Sequence, residues 1–162
     1  MLDNIPYFPY ILSAFIGIGL AAASGFRVFL PMFAVSLASY MGWIPMNDHF
    51  MWLAGLPTLI TTGIATIVEV LAYYIPYVDH LLDTISVPLA TVAGSVLFAS
   101  QFADLGTFPT WALALIAGGG TAAAISSGFA GTRAASTATT GGLGNSVVAT
   151  TETAGAGIMT FL

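Results

Sequence analysis

The apolar positions of this chain fall into long runs, separated by a few short polar interruptions. From Tyr10 to Ile44 the only charge is Arg27. As one helix that run would reach roughly 52 Å at about 1.5 Å per residue, against a hydrocarbon core about 30 Å thick. It must break, and the residues that permit a break are Ser24 and Gly25 through Pro31. Glycine tolerates unusual backbone angles, and proline cannot donate a helical hydrogen bond. Helices over 10–24 and 29–43 are predicted. The connection, Gly25-Phe26-Arg27-Val28-Phe29-Leu30-Pro31, lacks the polar residues of a solvated loop, which predicts a short turn sunk in protein or a re-entrant segment.

Further along, Trp43-Ile44-Pro45-Met46-Asn47-Asp48-His49 reads as a water-exposed loop, with Trp43 and Trp52 as interfacial belt residues. The run 50–77 contains Pro57 and carries Glu69. Thr62, Thr66 and Glu69 stand at i, i+4 and i+7, so they share one helix face, which should look into protein or a cavity. Residues 76–84 form a polar interruption expected to lie as a turn or two of helix at the interface. A fourth apolar run covers 85–103 and ends at Asp104-Leu105-Gly106-Thr107. A fifth starts near Pro109 and passes through Gly118-Gly119-Gly120 to Ser127. The segment 128–144 is too rich in Gly, Ala, Ser and Thr for a lipid-facing helix of the usual leucine type, and a last run, 144–162, has Glu152 near its middle. Residues 1–9, with Asp3, Asn4, Pro6 and Tyr7, read as an interfacial lead-in.

Composition fixes the solvent. A chain that is 57% hydrophobic and 6% charged cannot cover a water-facing surface, and its mean hydropathy is +0.94. The expectation is an all-α integral membrane protein, a single polytopic domain over 1–162 with five or six transmembrane helices. A formal charge of -5 excludes nucleic acid and a polybasic grip on lipid headgroups. No cysteine is present, which removes disulfide, thiolate and Cys-ligated metal chemistry. Met1-Leu2-Asp3-Asn4 lacks the positive start of a secretory signal, so the first apolar run is expected to stay in the mature protein.

The two basic residues both sit in or beside apolar runs, each after a similar segment: Ser24-Gly25-Phe26-Arg27, and Ser127-Gly128-Phe129 followed by Arg133. Aligning Gly25 with Gly128 also brings Gly17 onto Gly120 and Ala21 onto Ala124. After each Arg comes an apolar helix bearing one Glu, first Glu69 and then Glu152. This order predicts two related halves, 10–77 and 109–162, each with a broken segment of the kind from which transporters build midplane sites. Each charge inside a membrane needs a partner. Arg27, Glu69, Arg133 and Glu152 balance, either as two structural ion pairs (Arg27 with Glu69 and Arg133 with Glu152, or crosswise) or as a pathway for an ion. Ser24, Gly25, Ser127, Gly128 and Asn145 complete the candidate polar site.

Other constellations carry less. Small residues at four-residue steps, Ser13, Gly17, Ala21 and Gly25, then Ala114, Gly118, Ala122 and Ser126, are expected to be helix-packing faces. Asp79, His80 and Asp83, with Asn47-Asp48-His49, have unspecific metal-ligand spacing and fit solvated loop residues, so neither metal nor cofactor is predicted. The Gly- and Thr-rich stretch 137–145 lacks the Gly-Lys-Ser/Thr of a P-loop, and it could instead supply hydroxyls and carbonyls to a re-entrant loop.

Ala21-Ala22-Ala23-Ser24-Gly25-Phe26-Arg27-Val28-Phe29-Leu30-Pro31, together with Gly131-Thr132-Arg133-Ala134, resembles a bacterial inner-membrane family known as domain of unknown function 4126. The resemblance implies a small multi-pass protein of the bacterial cytoplasmic membrane and brings no activity and no catalytic residues. The residues themselves point to a small channel or transporter for an ion or solute, homo-oligomeric, sited at the broken helices. The alternative is a non-catalytic subunit of a larger membrane complex, because few loops and many small-residue stripes offer surfaces for packing. An enzyme is not expected, since His49 and His80 lie in separate interruptions.

Overall fold

The computed structural model describes residues 7–75, 78–102 and 105–161, and these contain helices and no strand. The order is α1 (Phe8–Phe26), α2 (Phe29–Tyr40), a 3-10 segment (Asp48–Ala54), α3 (Leu56–Ala72), α4 (Val78–Ala99), α5 (Thr107–Leu113), a π segment (Ala114–Gly119), α6 (Gly120–Thr140) and α7 (Asn145–Phe161). Among the described residues three stretches are long and apolar enough to cross a membrane: Phe8–Phe26, Val78–Ala99 and Thr107–Thr140. The 3-10 segment and α3, bent by 57°, make a fourth if counted as one span. That is fewer than the five or six that length alone allows, because α2 has 12 residues and the stretch ending in α6 uses 34.

The first break falls at Arg27 and Val28, between the end of α1 and the start of α2, and Arg27 carries the extended backbone (φ -144, ψ 124). Pro31 stands in the first turn of α2, where an amide N–H would have no intrahelical partner. Val28 packs against Ala90 and Ala93, past the middle of α4, and Ala122, midway along the Thr107–Thr140 stretch. The α1–α2 connection is therefore buried inside the bundle.

Such depth requires close backbones, and the small-residue stripes provide it. A Cβ on Gly25 would stand 2.7 Å from Ile125 Cβ and 2.8 Å from the Ala122 carbonyl oxygen, so α1 and α6 touch there without side chains between them. Beside this contact the Phe26 and Phe129 rings pack at 5.1 Å. A Cβ on Gly94 would lie 2.6 Å from Ala122 Cβ, and one on Gly118 2.6 Å from Phe98 Cβ. Gly118→Ala is expected to push the π segment off α4 and to cost about 1–3 kcal/mol, the usual range for overpacking. Thermal unfolding of the purified variant in detergent checks this.

The loop at 43–49 is exposed at residues 43–45, 48 and 49, as expected, and enters a 3-10 segment whose Phe50 and Leu53 are core residues. Asn47 caps it, accepting from Phe50 N (3.2 Å) and donating to the Phe102 carbonyl (2.9 Å). Residues 78–84 are not a separate interfacial helix but the first turns of α4. Helix α6 runs unbroken through Ser127 and Gly128, so there is no second break at that site; the irregularity in this half is the π segment upstream. The order of break, Arg and Glu-bearing helix is thus not repeated as geometry. The lead-in at 1–6, Pro76-Tyr77 and Asp104 lie outside the described residues.

Candidate functional site

The buried connection carries Arg27 into the bundle, where 1% of its surface remains exposed. Its Nε donates to Thr153 Oγ1 (3.1 Å) and its Nη2 to the Ala149 carbonyl (2.8 Å), both on α7. Nη2 also lies 3.4 Å from Glu152 Oε2. Arg133, on α6 and 2% exposed, reaches the other Glu152 oxygen through Nη2 and the Asp83 carboxylate of α4 through Nη1. Both guanidinium carbons lie over the Tyr73 ring, 4.1 and 4.2 Å from its centroid, so the π face adds to the attraction of the carboxylates. The result is one chain of charges, Asp83 to Arg133 to Glu152 to Arg27, joining α4, α6, α7 and the break.

Of the pairings expected, Arg133 with Glu152 and the crosswise Arg27 with Glu152 are made, and Arg27 with Glu69 is not. Glu69 accepts instead from the backbone N–H of Val28 (Oε1, 2.8 Å) and of Phe29 (Oε2, 3.0 Å). Those two amides open α2, and a carboxylate there satisfies orphan donors and meets the positive end of the helix dipole. Glu69 is therefore the clasp of the break. The α3 face that carries it is buried as predicted, but Thr62 and Thr66 turn their hydroxyls back to the carbonyls of Thr58 and Thr62 (2.7 Å each). Only Glu69 on that face bonds across to another element.

One turn outward, Asn145 Nδ2 donates to Asp79 Oδ2 (2.7 Å) and to Thr137 Oγ1 (3.1 Å). Asn145, Ala149 and Glu152 share the buried face of α7, which runs from this pair into the charge chain. Ser24 is fully buried beside the break, its hydroxyl without a partner, and Gly25 serves the close α1–α6 contact. Ser127 and Gly128 face outward and take no part. Their assignment to the site is corrected because an unbroken helix turns them away from Ser126 and Arg133, the buried side of α6.

Asp83 and Tyr73 are the members that sequence reasoning missed. Tyr73 follows Glu69 by four residues, one turn along the face already marked by Thr62 and Thr66, and Asp83 follows Asp79 by four. Among the described residues no group of three His, Cys, Asp or Glu side chains is placed to hold a metal ion. Asp79 and Asp83 are engaged by Asn145 and Arg133. Within the chain Asp83 and Glu152 match the two guanidiniums; Glu69, held by two amides, and Asp79, held by Asn145, are further carboxylates beside it with no ion pair among the described residues. Arg27 Nη1, Arg133 Nε and Glu152 Oε2 also lack hydrogen-bond partners.

Apolar helices of spanning length around a buried, hydrogen-bonded charge cluster are the architecture of a membrane protein. Residues 14–162 match the family model for the domain of unknown function DUF4126, and the chain belongs to that family. Comparison with curated proteins and with solved structures gave no match.

Proposed function

We propose that this protein is a small multi-pass transporter of the bacterial cytoplasmic membrane that moves a cation, with its site in the carboxylate–guanidinium chain at the α1–α2 break. The observation that carries this reading is the net negative charge of the region around that chain. Each ionised side chain at mid-membrane costs about 2.5–3.5 kcal/mol even on the lenient insertion scale. Ion pairs offset that cost for Asp83 and Glu152, whereas Glu69 and Asp79 have hydrogen bonds and no guanidinium. The chain itself balances, Asp83 and Glu152 against two guanidiniums, and Glu69 and Asp79 beside it make the region net negative, which favours a proton or another cation and disfavours an anion. Glu152, held between both arginines, is the exchanging group in this reading, and Asp83 and Asp79 lead toward it from the helix ends.

The test is flux in proteoliposomes under an imposed ion gradient. Glu152→Gln keeps size and some hydrogen bonding while removing charge; it is expected to lower flux at least tenfold with the same thermal unfolding and elution volume as the parent protein. A folded variant with full flux would overturn the reading.

A second reading has its own support. The outward face of α6 presents Ser127, Gly128, Gly131, Thr132 and Ala135, which are small and poor at covering themselves with lipid. Such faces favour close helix contact, with a second copy or another subunit. Native mass spectrometry of protein gently extracted from membranes separates these cases: a homo-oligomer fits the transporter, and stable unrelated chains fit a non-catalytic subunit.

A further inference from the structure

Helix α3 packs on α2 and leaves a gap toward α4. The gap is an apolar groove of about 170 Å³, walled by Ala65, Val68 and Ala72 of α3 and by Leu82, Ile85 and Leu89 of α4. Val68, Ile85 and Leu89 are exposed on the outer surface, so the groove opens sideways, to lipid. Its one charged lining residue is Glu69. Unlike Asp83 and Glu152, Glu69 has no ion-pair partner among the described residues.

Next to the groove lies a second cavity of about 220 Å³ with the opposite character. It sits at the helix ends, between the close of α3, the start of α4 and the α6–α7 turn, and Asp79, His80, Asn145 and Ser146 contribute to its wall. Asn145 is more than nine-tenths buried, and its Oδ1 has no partner. Tyr73 lines both cavities. A lipid-side apolar compartment and a polar compartment at the bundle end thus share one aromatic wall, fixed by two guanidiniums.

From this we propose that Tyr73 is the gate between the two compartments and that the molecule passing it is a small amphipathic organic cation. The inference rests on the transporter reading and names its substrate class. An apolar cavity of about 150 Å³ holds one benzene ring, so the groove fits an aromatic ring or a short alkyl body. Glu69 sets the sign, because an anion would meet only a carboxylate there. Asp79 repeats that sign in the polar cavity. The cation enters from the bilayer with its apolar part along α3 and α4 and its charge at Glu69, and leaves past Tyr73 toward Asp79.

The probe is benzyltrimethylammonium, with neopentylbenzene as its uncharged isostere. Isothermal titration of the full-length protein in detergent is expected to show saturable binding of the cation and none of the isostere. Ala65→Leu fills the groove without touching the hydrogen bonds of Glu69, and it is expected to weaken binding at least tenfold. In proteoliposomes Tyr73→Ala should raise uptake of the labelled probe severalfold at unchanged affinity. Should that variant not fold, Tyr73→Trp carries the test by lowering uptake. Absent binding, equal binding of the isostere, full affinity in Ala65→Leu or unchanged uptake in the folded Tyr73 variant would each overturn the proposal. If inorganic cation flux then still depends on Glu152, the transporter reading stands without this substrate; if no flux of any kind is found, that reading has failed as well.

Discussion

Replacing Arg133 with methionine is expected to destabilise the protein by about 3–5 kcal/mol, the cost of leaving buried charges without their partner. Methionine keeps the aliphatic stem but neither the charge nor the planar group over Tyr73, so the ion pairs and the cation–π contact are lost together. Arg133 alone joins Asp83 to Glu152, and without it two carboxylates face each other's field in a bundle where 2% of Glu152 is exposed. Thermal unfolding in detergent measures the loss. The double variant Arg133→Met with Asp83→Asn should recover part of it, since removing both members of a pair is far less costly than removing one. Equal stability of the single variant and the parent would mean that water reaches the cluster freely, which would undo the picture of a sealed interior site.

The second large effect concerns the clasp. Glu69→Ala removes two charge-assisted hydrogen bonds to the amides of Val28 and Phe29. Hydrogen bonds to charged groups contribute about 1.5–3 kcal/mol each, so a local loss of roughly 3 kcal/mol or more is expected at the break. It should appear as hydrogen exchange at Val28 and Phe29 accelerated at least a hundredfold. Amides in the first half of α4, held by their own helix, should change little. Glu69→Asp shortens the reach by one methylene and should fall between the two.

These effects bear on what could be read from the chain itself. The α1–α2 break was legible because an apolar run too long for one span contains Gly25 and Pro31, and both weaken a helix there. The segment at Ser127-Gly128 shares the small residues but has no proline anywhere after Pro109, so nothing forces the chain out of helical geometry. Small residues alone permit a break and equally permit a close-packed helix. Arg27, Arg133 and Glu152 were legible as charges that must meet. The role of Glu69 was not, because a guanidinium and the open amides of a helix start both suit a carboxylate, and spacing does not choose between them. Asp83 was obscured by its neighbours: among Asp79, His80 and Thr84 it looks like part of a wet loop, and only the helical continuation from Val78 turns it inward.

The depth of the break also imposes an order on synthesis. Arg27 is held by Thr153, 126 residues further along the chain. At about 5–20 residues per second, roughly 6–25 seconds separate the emergence of the guanidinium from that of the helix that receives it. Until α7 is made, Arg27 lacks Thr153, Ala149 and Glu152, and the break has only the contacts of Glu69 to the amides of Val28 and Phe29. The bonding of this one guanidinium is thus completed by a helix made after every other described one.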